Sequence, residues 1–292
     1  MRRSVPAAIV IALVVAGCGD GDGDGRFTGV NVQDPGPIHV HGLGVNPEDG
    51  ALFIATHTGL FRAPKGQRTA ERVADRFQDT MGFTIVGPDR FLGSGHPDVR
   101  EDLPPFLGLI RSSDAGENWD AVSLMGEADF HVLEASGNRV YGFGSDFETQ
   151  TARFLVSEDS GRTWDKRSTP APLTSLAIAP GDPNRIVATA EEGVYSSDDA
   201  GESWRPLSDD TGLVAWTRSG SLVLVDASGE VTTNGGDGRS WRKVGAIGGE
   251  PAALEAAGND LYVALHDGTI RQSTDGGNRW TVRSQPQAAV IQ

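Results

Sequence analysis

Short apolar stretches separated by turn residues fill most of this chain. The clearest group has stretches at 176–179, 185–190, 193–196 and 204–207, with the turn Pro-Gly-Asp-Pro-Asn at 180–184. Apolar runs of this length, bounded by Gly, Pro, Asn and Asp, are typical of β-strands. Helical periodicity is nearly absent, so the pattern predicts an all-β protein.

A motif of the form Ser-x-Asp-x-Gly-x-x-Trp recurs with these groups of four stretches. Full copies begin at Ser112, Ser157, Ser197 and Ser273, and a decayed copy begins at Asn234. The motif tryptophans are 45, 40, 37 and 39 residues apart: Trp119, Trp164, Trp204, Trp241 and Trp280. Four strands repeated at this period are typical of the blades of a β-propeller.

The stretches group into six predicted blades, because residues 38–74 follow the same order without the motif. The blades lie near 38–74, 75–125, 126–169, 170–208, 209–247 and 248–286. We therefore expect one closed domain over 38–286, a six-bladed propeller of four-stranded antiparallel blades with Asp-box turns. Seven blades is the alternative, if residues 26–37 and the tail 287–292 add strands.

The residue types of the motif have structural reasons. An aspartate can accept backbone N–H bonds within its own turn, and glycine adopts backbone conformations that other residues avoid. A tryptophan can pack between neighbouring blades. We expect scaffold roles for Asp114, Trp119, Asp159, Trp164, Asp199, Trp204, Trp241, Asp275 and Trp280.

The N-terminus predicts export. Met1-Arg2-Arg3 is followed by about a dozen apolar residues and by small residues before Cys18, the single cysteine. This resembles the bacterial lipoprotein signal, which implies a signal peptide at 1–17, a lipid on Cys18 and a flexible Gly/Asp-rich tether over 18–37. The chain would then lie on the outer side of a cell membrane. An ordinary signal peptide with a chance cysteine is the alternative.

Charge disfavours polyanions as partners. The formal net charge is −15, and release of residues 1–17 removes Arg2 and Arg3 and no acid. Such a surface repels nucleic acid. We expect a monomer that contacts the membrane through its lipid and takes a small molecule, a glycan or another exported protein as ligand.

The histidines all map to one end of the predicted propeller. In a four-stranded meander, the start of the first strand and the turn between the second and third strands share one end, opposite the Asp-box turns. All six histidines occupy those places: His39, His41, His57, His96, His131 and His266. Matching turns in other blades carry Asp146, Glu191 and Asp226. The sequence therefore predicts a ring of imidazole and carboxylate at the mouth of the central channel.

Three interpretations of this ring stay open. Imidazole suits divalent transition metals, and His-x-His at 39 and 41 places both side chains on one side of a strand. The ring can instead form a proton-responsive pocket for another ligand. The third interpretation is that polar residues on exposed loops have no ligand.

The Asp-boxes resemble the sialidase-like (BNR repeat) propeller superfamily, which includes exo-sialidases, other glycoside hydrolases, sortilin-type receptors and a photosystem II assembly factor. The segments 39–47 and 55–62 are similar to bacterial exported lipoproteins labelled glycosyl hydrolases or exo-sialidase-like. Sialidase chemistry implies three arginines, a tyrosine nucleophile and an acid. Arg62 lies in a Phe-Arg-Ala-Pro segment on a third strand, and Tyr141, Tyr195 and Tyr262 lie inside apolar strands. Neither the arginine triad nor the nucleophile is identifiable.

The sequence favours a membrane-anchored propeller that binds a ligand or an exported protein through its histidine-bearing end. A glycoside hydrolase acting on extracellular glycan, with paired acids such as Asp146 and Glu191, is the first alternative. A scaffold for assembling a membrane complex is the second.

Overall fold

Six four-stranded sheets make up the described part of the chain. The structure, a computed structural model, describes residues 36–236 and 240–286, which form 24 strands and no helix. Every sheet consists of four consecutive antiparallel strands. The fold is a six-bladed β-propeller, as the repeat period predicted.

The strands follow the blades in chain order. Blades 1 to 3 contain β1 (Val40–Val45), β2 (Leu52–Thr56), β3 (Gly59–Ala63), β4 (Glu71–Arg72), β5 (Asp79–Gly87), β6 (Arg90–His96), β7 (Leu109–Ser112), β8 (Asp120–Ser123), β9 (Ala128–Ser136), β10 (Arg139–Asp146), β11 (Ala152–Ser157) and β12 (Asp165–Arg167). Blades 4 to 6 contain β13 (Leu173–Ile178), β14 (Ile186–Ala190), β15 (Gly193–Ser197), β16 (Arg205–Ser208), β17 (Leu213–Trp216), β18 (Leu222–Val225), β19 (Glu230–Asn234), β20 (Arg242–Ala246), β21 (Pro251–Ala257), β22 (Asp260–Leu265), β23 (Ile270–Ser273) and β24 (Thr281–Ser284).

The hydrophobic core lies between the blades. Six apolar clusters form, each joining two neighbouring blades. The second strand of a blade is covered on both faces, so β2, β14 and β18 are buried along their whole length. This explains why these strands read as continuous apolar runs instead of alternating with polar residues.

The recurring motif forms the turn between the third and fourth strands of its blade. Ser157 Oγ accepts a bond from the Gly161 amide at 2.8 Å and donates to Asp159 Oδ1 at 2.8 Å. That carboxylate oxygen also accepts from the Thr163 amide at 2.9 Å. Trp164 then reaches the preceding blade, where its Nε1 donates to Ser123 Oγ at 2.9 Å. The same serine and aspartate pattern recurs at Ser112, Ser197 and Ser273.

The ring closes directly between blades 6 and 1. One apolar cluster unites Leu43 and Phe61 of blade 1 with Tyr262 and Ile270 of blade 6. Because these two blades pack on each other, no seventh blade fits between them. The seven-bladed alternative is therefore wrong.

The predicted signal peptide, Cys18, most of the tether and the tail 287–292 lie outside the described residues. These predictions stay predictions. Within the described ranges, no helix is long and apolar enough to cross a bilayer.

Candidate functional site

A β-bulge near the start of the inner strand marks the channel mouth in most blades. In β1 the pairing shifts between Val40 and Gly42, which leaves His41 without a partner on β2. The same shift isolates one residue in four other inner strands: Met81, His131, Thr174 and Ala252. A bulge re-aims the side chain of its extra residue. His41 and His131 are thereby presented to the same narrow space at the mouth.

Asp79, at the start of β5, lies among three histidines. His57 Nδ1 is 2.9 Å from Asp79 Oδ1, and His41 Nε2 is 4.0 Å from the same oxygen. His96 Nδ1 donates to Asp79 Oδ2 at 3.2 Å. The His57 ring packs edge-on against His41 at 4.4 Å and lies 5.3 Å from the ring of His39. Residues from three elements of two blades therefore meet at one carboxylate.

A second carboxylate extends the chain of contacts into blade 3. His131 Nε2 donates to Asp129 Oδ2 at 2.9 Å, and His96 Nε2 lies 3.6 Å from that oxygen. His96 thus lies between Asp79 and Asp129. We call the seven residues of this arrangement the histidine cluster: His39, His41, His57, Asp79, His96, Asp129 and His131.

Three polar atoms of the histidine cluster are buried without a hydrogen bond among the described residues. They are His41 Nε2, Asp79 Oδ1 and Asp129 Oδ1. The 2.9 Å approach of His57 Nδ1 to Asp79 Oδ1 does not have hydrogen-bond geometry. A buried polar atom without a partner costs about 1–3 kcal/mol, so such atoms in a cleft call for a ligand, an ion or water.

The surroundings of His41 and His131 shift the pKa values of these two histidines in opposite directions. Burial, with the neighbouring His57 second, lowers the pKa of His41 from 6.5 to about 4. The hydrogen bond from His131 to Asp129 raises the pKa of His131. At neutral pH, His41 is therefore neutral and keeps a nitrogen lone pair, while His131 gains protonated character.

Asp79 and Asp129 were not predicted as site residues from the sequence, although both hold the same position relative to the bulge in their strands. Asp79 and Asp129 lie two residues before the bulged residues of β5 and β9, as His39 does in β1. Glu250 holds that place in blade 6. When the inner strands of these four blades are aligned on their bulged residues, all four side chains fall at the same position.

Four of the predicted residues lie apart from the histidine cluster. His266 Nε2 is 3.9 Å from Glu250 Oε1, and both side chains are exposed. The amide and the hydroxyl of Thr149 both donate to Asp146 Oδ1, and these bonds, with the smaller effect of Arg153 at 2.6 Å, lower the pKa of Asp146. Asp226 accepts the amides of its own turn, at 228 and 230. Glu191 is exposed in the turn after β14. The structure joins neither Asp146 nor Asp226 to the other candidates.

Two glutamates face each other deeper in the channel. Glu134 on β9 and Glu255 on β21 come from blades that are opposite each other in the ring. Both line the narrow space beneath His41 and His131, and both line a wider cavity of about 460 Å³. Burial raises the pKa of Glu255 to about 7, and burial with the charge of Glu255 raises the pKa of Glu134 well above its usual range.

The residues that the sialidase resemblance implicates have structural contacts. Arg62 pairs with Asp49 of its own blade at 2.6 Å. Tyr141 is buried and donates to the Pro183 carbonyl at 2.6 Å. Burial raises the pKa of Tyr141 to about 12, the opposite of what a tyrosine nucleophile requires.

The sequence resembles known proteins over part of its length. Residues 108–237 match the Sortilin-Vps10 family, described as sortilin, neurotensin receptor 3. Over 168 residues the chain is 27% identical to the dispase autolysis-inducing protein of Streptomyces mobaraensis, a match that covers 54% of this chain and 43% of that protein. The chain thus corresponds to less than half of this relative's length.

The fold resembles several solved propellers. A gluconolactonase from Xanthomonas campestris superposes with a TM-score of 0.63 at 13% identity, covering 79% of this chain and 84% of that chain. YCF48 bound to D1 peptide superposes with a TM-score of 0.54 at 16% identity, covering 86% and 84%. A chain of the nidogen/laminin complex has a TM-score of 0.63 at 14% identity, covering 81% and 93%. At these identities the likeness shows the fold alone.

Proposed function

We propose that this chain is an exported binding module that takes its ligand at the histidine cluster. The observation that carries the proposal is the set of buried atoms without hydrogen bonds, His41 Nε2, Asp79 Oδ1 and Asp129 Oδ1, at an open channel mouth. A site that binds nothing gains no stability from such atoms, whereas a bound ligand can satisfy them. The ligand is a small molecule, a glycan, an ion or a segment of another exported protein.

Native mass spectrometry of the full chain tests this proposal. The chain is extracted without an affinity tag from its own host in mild detergent, so that a bound ligand is retained. We expect a mass above that of the lipidated polypeptide, lost in His57→Ala and Asp79→Asn and retained in His266→Ala. His266 is the matched control because it is an exposed histidine at the equivalent turn of blade 6. The same excess over the polypeptide mass in all four proteins, or no excess in any of them, would contradict the proposal.

The anchor is part of the same proposal. A lipid on Cys18 followed by a Gly/Asp-rich tether would hold the propeller outside the membrane. Cys18→Ser is expected to move the protein from the membrane fraction to the soluble extracytoplasmic fraction. Continued membrane association of that variant would rule the lipid anchor out.

A second candidate function is glycoside hydrolysis, favoured by the two glutamates of the channel. Two carboxyl groups with raised pKa values, one of which can donate a proton, beside a cavity of about 460 Å³ suit acid–base cleavage of a sugar linkage. A panel of fluorogenic glycosides tests it. Turnover should vanish in both Glu134→Gln and Glu255→Gln, and turnover that survives both changes would exclude this pair as the catalytic groups.

A further inference from the structure

Three donor atoms of the histidine cluster face one another at distances suited to a metal ion. One ligand atom from each of His41, His57 and Asp79 lies within 4.8 Å of the other two. Asp79 Oδ1 is the oxygen that approaches His41 Nε2 and His57 Nδ1. Tetrahedral zinc with bonds of about 2.0–2.1 Å holds its ligand atoms about 3.3 Å apart. The observed separations from Asp79 Oδ1, 2.9 Å and 4.0 Å, lie on either side of that value.

The same three atoms make no hydrogen bonds to one another. Two of them, His41 Nε2 and Asp79 Oδ1, are buried and unpartnered. Lone pairs that face each other across such a gap repel unless a proton or a cation lies between them. A cation in that position would convert three unfavourable contacts into three coordination bonds.

Groups behind the donors hold the carboxylate in place. His96 donates to Asp79 Oδ2, which leaves Oδ1 directed towards His41 and His57. His96 itself lies between Asp79 and Asp129. Outer contacts of this kind orient metal-binding carboxylates and are a regular part of metal sites. The donors come from β1, from the turn after β2 and from β5, so the closed ring positions all three before any ion arrives.

The donor types select the class of ion. Two imidazoles and one carboxylate suit zinc, copper or nickel, whereas calcium and magnesium prefer six or more oxygen ligands. The His57 side chain is 43% exposed, so one side of the site is open to solvent. An open side leaves a coordination position for water or for a ligand group.

We propose that the histidine cluster binds one divalent transition-metal ion of the zinc or copper type through His41 Nε2, His57 Nδ1 and Asp79 Oδ1, with a coordination position open at the channel mouth. This inference rests on the proposed function, because it names the ligand class of the same site. His96, Asp129 and His131 then act as positioning residues behind the ion.

Isothermal titration of the tag-free full chain, stripped with EDTA and dialysed, tests the inference with ZnCl₂, CuCl₂ and CaCl₂ as probes. We expect one Zn²⁺ or Cu²⁺ ion per chain with a Kd below about 1 µM, and no heat with Ca²⁺. His57→Ala and Asp79→Asn should each weaken metal binding by about 100-fold or more. Loss of a residue that only supports a metal ligand already weakens binding by about 10–100-fold, and these two variants lose a ligand itself. His266→Ala should leave the Kd unchanged.

A second readout does not depend on affinity. Co²⁺ bound to the wild-type chain should show the intense visible absorption of a four-coordinate site, and the absorption should disappear in Asp79→Asn. Asp79→Asn keeps the size of the side chain, and its circular dichroism spectrum identifies a folding defect. His57→Ala, at an exposed position, provides the independent variant if Asp79→Asn fails to fold.

The outcomes separate this inference from the proposed function. Absence of Zn²⁺ and Cu²⁺ binding at about 100 µM, or an equal loss in His266→Ala, overturns the metal site. If native mass spectrometry still finds an organic or protein ligand that depends on His57, the binding module stands without a metal. If neither experiment finds a ligand, both are wrong.

Discussion

Gly161 shows how a single residue of the repeated turn determines the fit between blades. Its φ is +82°, in the left-handed region. A Cβ built there would lie 2.0 Å from Leu109 Cδ2 of the preceding blade. An added Cβ would lie 2.5 Å from Leu60 Cδ2 at Gly116 and 2.6 Å from Phe154 Cε1 at Gly201. In these copies of the motif, the turn glycine is where the motif contacts the core of the blade before it. The motif requires glycine for its backbone conformation and for this close approach.

Gly161→Ala should therefore destabilise the protein more than a Gly→Ala substitution that strains the backbone without creating a steric clash. Gly137→Ala is the matched control, because Gly137 also has a positive φ of +60° but has no atom within 4 Å of an added Cβ. The control should lose about 1–2 kcal/mol of unfolding free energy, and Gly161→Ala about 1–3 kcal/mol more, because overpacking adds to backbone strain. Urea denaturation measures both. Equal losses would show that the contact with Leu109 relaxes freely.

At the scale of the element, the inner strand combines two functions. Its bulge presents a side chain to the mouth, and the residue three positions later faces the channel. In β9 these residues are His131 and Glu134, and in β21 they are Ala252 and Glu255. Neutral or small residues fill the later position in other blades, such as Gly44 and Thr84. Only the opposed strands β9 and β21 bring two carboxyl groups into the described channel at this position.

This pair should make stability fall as pH rises. Glu255 keeps its proton up to about pH 7 in the folded protein but ionises near its usual 4.5 when unfolded. The folded state therefore binds more protons between these values, and unfolding free energy decreases across that window. Glu255→Gln removes the penalty and should be more stable than wild type at pH 8 by about 1–3 kcal/mol, with little difference at pH 4.5.

Denaturation curves at the two pH values measure the effect. Glu134→Gln should behave in the same direction, because removal of either charge relieves the other carboxylate. Glu191→Gln, at an exposed turn, is the control and should follow wild type at both pH values. A Glu255→Gln advantage that is the same at both pH values would refute the link to ionisation.

At the scale of the whole molecule, each blade is made of its own four consecutive strands, so no sheet contains strands from both ends of the described chain. Packing and side-chain hydrogen bonds therefore close the ring. Besides the apolar cluster, Arg283 of β24 donates to the carbonyls of Ala63 and Pro64 at 3.0 and 3.1 Å. Ser284 Oγ donates to the Arg68 carbonyl at 2.8 Å. The last strand is thereby attached to the outer part of blade 1, and the whole toroid depends on this seam.

Arg283→Met should weaken the seam while it keeps the apolar part of the side chain. We expect a loss of about 1–3 kcal/mol in unfolding free energy, because partly buried carbonyls lose a charged donor. Arg279→Met is the control, at an exposed turn position of the same blade. Differential scanning calorimetry measures both. A change no larger than that of the control would show that the apolar cluster alone closes the ring.

The architecture was predictable from the sequence because short local patterns indicate each blade and these patterns repeat along the chain. Strand-length apolar runs, turn residues and the motif Ser-x-Asp-x-Gly-x-x-Trp recur at one period, and every copy independently indicates the same blade. The five histidines of the cluster were also assigned to one end, because strand polarity in a meander decides which turns share an end. His266, Asp146, Glu191 and Asp226 were assigned to the same end but lie outside the cluster. His266 lies near Glu250, Asp146 pairs with Arg153, and Asp226 accepts amides of its own turn.

The sequence by itself determined the all-β class and the repeated four-stranded blade, and it predicted the end of the propeller on which the imidazoles lie, because each depends on short-range pattern. The choice of six blades over seven needed the tertiary structure, in which blade 6 packs directly on blade 1. Only the tertiary structure decided that Asp79 and Asp129 are the carboxylates between the histidines, and that Glu134 and Glu255 oppose each other from blades 3 and 6. Those contacts depend on bulges, twist and ring closure, which place residues far apart in the chain within a few ångströms. No local pattern encodes such distances.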